Sequence, residues 1–322
     1  MKAVIRSVGS YLPERVVTND DLARTIDTSD EWIFSHTGIK RRRIAADSEA
    51  TSDLAYEAAK SALERAAIPA SEIDLIIVAT ATPDYNGFPS TACIVQERLG
   101  ASGAGAMDMA AACTGFIYGI ETASNYIRAG AARNILVIGS ETLSRVIDWN
   151  DRNTCVLFGD GAGAVLLSAE EGDRGVRRSL LRSDGSGAEH LWIPGGGSRA
   201  PIRDASDPAT IRMNGRQVYN FAVRVIGETI DFLLGEEIDL AEIAYIVPHQ
   251  ANVRIMSAAA KRLEIPVEKF YMNIQEYANT SAASIPIALD EMATGGHLKA
   301  GDLIVTVGFG GGLTYGGNLI RW

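Results

Sequence analysis

Cysteine is scarce in this chain: 322 residues hold three, Cys93, Cys113 and Cys155. An odd count with no metal-ligand spacing argues against a disulfide scaffold and a zinc site, and it fits a reducing cytoplasm. Long apolar runs are missing too, since none reaches the roughly 18–20 residues that a membrane helix needs. The N-terminal stretch Met1 to Arg6 is broken by charge at Lys2 and Arg6, too early for a signal peptide. Excess positive charge is also absent. The net charge of −10 argues against a nucleic-acid partner, and any acidic partner must meet a local basic patch. What the chain has in quantity is apolar residues, 47%, enough for a sizeable core, and 32 glycines clustered in short runs that read as tight turns and close backbone contacts. The length is natural for two coupled domains.

The chain looks duplicated. Ser71 to Val78 resembles Ala241 to Pro248, with Glu72 matching Glu242 at an offset of 170, and Ile135 to Gly139 resembles Leu303 to Gly308 at an offset of 168. Helical patterns over Ser52 to Ala67 and Gly215 to Leu234 precede the first pair. Two matches at nearly one offset suggest two copies of a supersecondary unit, chance likeness of apolar strands being the alternative. Each half alternates strands with helices, which predicts an α/β fold of two mixed sheets layered with helices. The apolar runs 75–79, 135–138 and 303–307 read as central strands buried on both faces. The polar turn from Glu170 to Gly175 places the boundary so that the halves are 1–172 and 173–322. Asp184 to Pro208, rich in Gly, Ser, Asp and Pro, reads as a long surface excursion that lines a site.

Within this frame Cys113 stands out. A short apolar run leads into it, small residues flank it, and a helical stretch follows to about Arg128. A cysteine at a helix N-terminus feels the positive end of the dipole, which favours the thiolate and prepares a nucleophile. A small buried core residue is the other reading. The duplication sets Asn279 to Pro286 opposite Cys113, and the strand ending at Val247 runs into His249. Cys113, His249 and Asn279 are thus all expected just after strands, where active groups gather in mostly parallel sheets. Asn279 also reads as a plain helix N-cap. The glycines of Gly308 to Gly312 allow exposed backbone N–H groups, as an oxyanion hole requires, or an ordinary hairpin turn.

Taken together, Asp30-Glu31-Trp32-Ile33 with Thr37-Gly38-Ile39, Ala110 to Phe116, Phe158 to Ala164, His249-Gln250-Ala251-Asn252, Asn279 to Pro286 and Phe309 to Gly312 resemble the β-ketoacyl-acyl carrier protein synthase III family, the thiolase-fold condensing enzymes that start bacterial fatty acid synthesis. The resemblance runs the whole length and implies a thiolase-like duplicated fold. It implies Cys113, His249 and Asn279 as the catalytic set, and an oxyanion hole from the backbone N–H groups of Cys113 and Gly311. Trp32, Thr37 and Arg152 become coenzyme A contacts, and Phe88, Leu143 and Phe158 walls of an acyl pocket, Phe88 reaching across a homodimer interface into the partner. Arg254 and Lys261, seven apart on a helix expected over 252–263, become the docking face for an acidic carrier protein, with Lys40 to Arg43 a second basic cluster. His36 stands where some relatives have arginine, and Tyr219-Asn220 where some carry a lysine.

The implied reaction joins a short acyl-CoA (acetyl or small branched) to malonyl-acyl carrier protein through an acyl-Cys113 intermediate, releasing CoA and CO2. His249 and Asn279 both donate hydrogen bonds to the enolate oxygen left by decarboxylation. No metal or cofactor is needed, because loss of CO2 generates the carbanion. Two alternatives stay open at this point: a related condensing enzyme with another starter or acceptor, as in polyketide or quinolone initiation, and a non-catalytic carrier-protein-binding module.

Overall fold

The computed structural model describes residues 1–201 and 209–322, so the part of the polar excursion spanning 202–208 lies outside the described residues. In chain order the first half runs β1 (Lys2–Tyr11), β2 (Arg15–Thr18), α1 (Asn19–Ala23), α2 (Asp30–Thr37), β3 (Arg41–Ile44), α3 (Thr51–Ala66), β4 (Leu75–Ala79), α4 (Thr91–Leu99), β5 (Gly105–Met109), α5 (Gly115–Arg128), β6 (Asn134–Glu141) and β7 (Gly161–Glu170). The second runs β8 (Gly175–Ser183), β9 (Leu191–Trp192), β10 (Arg212–Met213), α6 (Gly215–Leu234), β11 (Ile243–Pro248), α7 (Val253–Arg262), α8 (Ile274–Tyr277), α9 (Ser284–Thr294), β12 (Leu303–Gly310) and β13 (Thr314–Arg321).

Two mixed sheets form, ordered β1-β7-β6-β4-β5 and β8-β13-β12-β11. In each the first two strands pair antiparallel and the last pairs parallel, and the matching members fall in the same sequence. An isolated parallel bridge from Ile246 to Phe270 stands where the second sheet lacks a fifth strand. The repeat extends to the turns: the 3-10 turns Ala112–Thr114 and Ser281–Ala283 lead into α5 and α9 at equivalent places.

Side-chain alternation along the strands builds the layers. On β4 and β6, Ile76, Val78, Leu136 and Ile138 point one way, into a core with Leu54, Ala58 and Ala62 of α3. Their neighbours Leu75, Ile77, Ile135 and Val137 point the other way, onto Phe116, Ile117 and Ile120 of α5 and Ile285, Leu289 and Met292 of α9. Ile304 and Ile320 of the second sheet close that same core, and α6 and α7 cover its outer face. The order is therefore helices, sheet, the α5 and α9 pair, sheet, helices. Both central helices are inside, and burying each large aliphatic side chain there contributes about 1.5–3 kcal/mol. Among the described residues no helix is long and apolar enough to cross a membrane.

Candidate active site

The turn that carries Cys113 is strained and tightly held. Ala112 has φ +46°, unusual for a residue with a Cβ and worth about 1–3 kcal/mol of strain. The Thr314 hydroxyl donates to the Ala111 carbonyl and accepts from the Thr114 hydroxyl, each at 3.0 Å, and so ties the turn to the β12–β13 hairpin. Behind it the hairpin backbone comes so near that a Cβ at Gly310 would stand 2.7 Å from Cys113 N. Cys113 is buried, and burial pushes its thiol up to about 12, the Ser281 hydroxyl pulling partly back. Burial thus works against the expected thiolate and outweighs the Ser281 hydroxyl that favours it.

His249 follows β11, its N–H donating to the Val307 carbonyl of β12 at 2.8 Å. Nδ1 lies 2.8 Å from Ser284 Oγ, and the Phe309 ring stands edge-on at 5.4 Å. Burial lowers its pKa to about 3, so the imidazole is neutral. Asn279 corrects the expectation that all three groups follow strands. It comes after α8 and is fixed by a bridge to Phe158, its N–H donating to the Leu157 carbonyl while its own carbonyl accepts from Gly159 N. Its Oδ1 accepts from Ser281 N at 2.8 Å, which leaves the Nδ2 group to donate into the site.

Cys113 lies between two cavities. One, about 130 Å³, is lined by His249, Asn279 and Phe309 and opens past Tyr219 and Asn252. The other, about 250 Å³, is lined with Cys113 by Ala81, Leu143, Phe158, Ile211, Ser281 and Gly311 and by Leu191, Trp192 and Ile193 of the excursion. The catalytic set, Gly311, Leu143 and Phe158 are thus brought together. A cleft of about 1310 Å³ adjoins the chamber at Ala81 and Ile193, and another of about 720 Å³ lies apart, and neither holds a member of that set.

The remaining candidates lie farther out. Trp32 is half-buried, with the Arg152 guanidinium 4.3 Å above its ring and His36 stacked at 4.5 Å. Thr37 is buried, and its hydroxyl donates to the Ile33 carbonyl (2.7 Å) and accepts from Ile39 N (3.0 Å). Both bonds serve the end of α2, so the hydroxyl expected at a coenzyme A contact is already engaged by backbone. Phe88 is 90% exposed, away from this chain's own cavity. Arg254 and Lys261 are exposed on α7, Arg254 Nε donating to the Ser35 carbonyl at 3.1 Å. The expected basic cluster at Lys40 to Arg43 dissolves. Arg42 is fully buried, bonded to Asn19 Oδ1 and to the Val17 and Val156 carbonyls, and Arg41 pairs with Glu276 at 2.7 Å.

Sequence reasoning missed Ser281, Ser284 and Glu141. Glu141 is a wholly buried carboxyl whose pKa burial raises, although Thr80, Thr82 and the Ala81 N–H bond to it beneath the apolar cavity. The duplication held a usable signal for the serines, because Ser281 and Ser284 repeat the positions of Ala112 and Gly115 around the nucleophile.

Comparison with known proteins agrees with this geometry. Family models described as 3-oxoacyl-[acyl-carrier-protein] synthase III and its C-terminal part match residues 107–185 and 235–322. The chain is 52% identical to the β-ketoacyl-[acyl-carrier-protein] synthase III of Caldanaerobacter subterraneus subsp. tengcongensis, covering 99% of this chain and 98% of the relative. It is also 52% identical to the protein of that name from Clostridium perfringens, over 99% of each. The crystal structure of 3-oxoacyl-[acyl-carrier-protein] synthase III from Aquifex aeolicus superposes with a TM-score of 0.92 at 47% identity, covering 99% of this chain and all of that one. Sheets, layers and catalytic turns together make this a thiolase-like α/β protein, and the chain belongs to the 3-oxoacyl-[acyl-carrier-protein] synthase III family.

Proposed function

We propose that the chain initiates fatty acid synthesis, condensing a short acyl-CoA with malonyl-acyl carrier protein in the cytoplasm. The observation that carries this reading is the position of Cys113 between a cavity holding His249 and Asn279 and an apolar chamber of about 250 Å³. Cys113 Sγ attacks the acyl-CoA thioester, and coenzyme A departs as the thiol. Exchange of one thioester for another is nearly balanced, so the stored acyl group stays reactive. The acyl chain lies in the apolar chamber, which is below the roughly 300–1,000 Å³ of common ligand pockets and so suits a short starter. A malonyl thioester then enters on the His249 side and loses CO2. Hydrogen bonds from Asn279 Nδ2 and His249 steady the enolate oxygen, and the carbanion attacks the acyl-Cys113 carbonyl. The N–H groups of Cys113 and Gly311 receive the tetrahedral oxyanion, whose collapse breaks the C–S bond, releases the 3-oxoacyl carrier protein and returns the Cys113 sulfur, which regains a proton. No cofactor is called for, since decarboxylation supplies the carbanion.

Trp32 and Arg152 are the proposed adenine contacts of coenzyme A, and an entering ring must part their mutual stacking. Arg254 and Lys261 are the proposed carrier-docking pair. A homodimer is proposed on two features: β5 ends its sheet with one edge unpaired among the described residues, and Phe88 presents a bare ring nearby in sequence. The domain division is proposed between residues 172 and 173, in the turn from β7 to β8. Intact-mass spectrometry after incubation with acyl-CoAs of increasing length tests the reading. One short acyl adduct on Cys113 is expected, absent from Cys113→Ser. An adduct that survives that substitution refutes the assignment.

A further inference from the structure

The buried hydroxyl of Ser284 is the only polar side-chain atom hydrogen-bonded to His249 among the described residues, and nothing in the reaction scheme above uses it. Ser284 is 2% exposed, at the first turn of α9. Its Oγ has three neighbours: His249 Nδ1 at 2.8 Å, Gln250 N at 3.3 Å and the Ser281 carbonyl at 2.9 Å. Gln250 N can only donate, so it takes one lone pair of the hydroxyl oxygen. The single hydroxyl proton then has two possible acceptors. The Ser281 carbonyl already receives the N–H of Ser284 itself. His249 Nδ1 has no other partner among the described residues.

The choice matters because the ring is neutral. An imidazolium would donate from both nitrogens whatever its surroundings, but burial keeps His249 unprotonated, so only one nitrogen carries hydrogen. Which one is set by the bond the other makes. If Ser284 gave its proton to the Ser281 carbonyl, Nδ1 would carry hydrogen and Nε2 would turn a lone pair toward the cavity. A lone pair there repels an enolate oxygen.

We propose that Ser284 is a positioning residue for the condensation: its hydroxyl donates to His249 Nδ1 and thereby fixes the tautomer whose Nε2–H faces the substrate cavity. The pairing has a parallel in Asn279, where Ser281 N occupies Oδ1 and leaves the amide N–H group as the donor. The turn Ser281–Ala283 and the start of α9 thus orient both donors, one through a backbone N–H and one through a hydroxyl. The inference rests on the proposed reading, in which His249 serves the enolate.

Two measurements on the full-length protein test it. With only four histidines, 15N spectra of histidine-labelled protein assign His249 by comparison with His249→Ala. Nδ1 is expected to resonate as an acceptor nitrogen and Nε2 as the protonated one. Ser284→Ala should collapse or reverse that pattern, and Ser284→Thr, which restores the hydroxyl, should recover it. In separate half-reactions, Ser284→Ala should lower malonyl decarboxylation by about 10- to 100-fold, as loss of an orienting partner commonly does. Acylation of Cys113 by acyl-CoA should remain near the wild-type rate, which also shows that the variant is folded. A wild-type spectrum with hydrogen on Nδ1 overturns the proposal, as does undiminished decarboxylation by Ser284→Ala. If His249→Ala and Asn279→Ala also decarboxylate normally, the reading of the site fails with it. If those two lose decarboxylation while Ser284→Ala keeps it, only the inference fails.

Discussion

Replacing Gly310 by alanine isolates how much of the proposed catalysis depends on the placement of the nucleophile. Gly310 has φ −167° and ψ −172°, extended backbone that alanine adopts freely, so the substitution carries no torsional penalty. What it adds is a methyl group 2.7 Å from Cys113 N and 3.1 Å from Cys113 Cβ. Ordinary contact begins near 3.4 Å, so the turn must retreat by about 0.7 Å, and overpacking of this kind costs about 1–3 kcal/mol. Thermal unfolding should shift by only a few degrees, at about 2–4 °C or less per kcal/mol for a chain this long. Catalysis should suffer more, because a misplacement of about 1 Å costs on the order of 100-fold. The assay is the rate at which Cys113 gains an acyl group from acyl-CoA, read by rapid-quench mass spectrometry beside calorimetry of the same sample. A variant that melts a few degrees lower yet acylates at the wild-type rate would refute the reasoning, since the strain would then have gone into the hairpin and spared the sulfur.

Other expectations follow from the same geometry. His249→Ala and Asn279→Ala should damage malonyl decarboxylation far more than acylation of Cys113, and equal losses in the two half-reactions would reassign His249 as a base. Arg254→Glu should raise the KM for malonyl-acyl carrier protein about tenfold, a cost of about 1.4 kcal/mol, and leave acyl-CoA use alone. The wild-type preference should fade with salt, because exposed charges are screened over about 8–10 Å, and an unchanged carrier KM refutes this face. Phe88→Thr should lengthen the acyl chain accepted while sparing acetyl transfer, and a wild-type enzyme that loads dodecanoyl-CoA as readily as acetyl-CoA contradicts the plug. Acid should also find His249. Its folded pKa is depressed to about 3, whereas the unfolded chain takes up a proton near 6.5. The stability from keeping it neutral is present above pH 6.5 and lost as pH falls toward 3, so His249→Gln should flatten the acid limb of a denaturation profile, and an unchanged slope would refute its burial as a neutral ring.

The central strands were legible because burial on both faces leaves continuous apolar runs, as in Leu75 to Ala79, and the repeat was legible because both copies keep such runs at one spacing. The three candidates that share one cavity, Cys113, His249 and Asn279, were legible through their neighbours in sequence, small residues around Cys113 and polar ones around Asn279. Burial of polar groups was not legible. Arg42 sits in a row of four basic residues that reads as a solvated face, yet it is the innermost of them, because carbonyls and Asn19 from separate elements accept its hydrogen bonds. Thr37 fails for the same reason: two backbone bonds absorb a hydroxyl that sequence alone leaves free. The upward push on the Cys113 thiol comes from the turn's burial, which the local pattern of a helix start does not carry.

The duplication also explains why the site has a polar and an apolar side. Ala112 and Ser281, with φ of +46° and +49°, are the same strained position in the two copies, and each opens a helix of the central layer. The residue after the first is Cys113 and after the second Ala282, so one copy keeps a thiol and the other presents only backbone and the Ser281 side chain. Ala81 stands two positions past the last residue of β4 and His249 one past that of β11, so the loops after these two matching strands carry an alanine and a histidine. Ala81 lines the apolar chamber and His249 the polar cavity. The sulfur therefore lies between the loops that follow two matching strands, one lining its chamber with Ala81 while Thr80 and Thr82 bond to Glu141, the other carrying an imidazole. On the proposed reading that asymmetry sorts the substrates. An acyl chain on Cys113 gains by turning toward Ala81, where burial is apolar, and in doing so it clears the His249 side, where the incoming malonyl carbonyl needs donors.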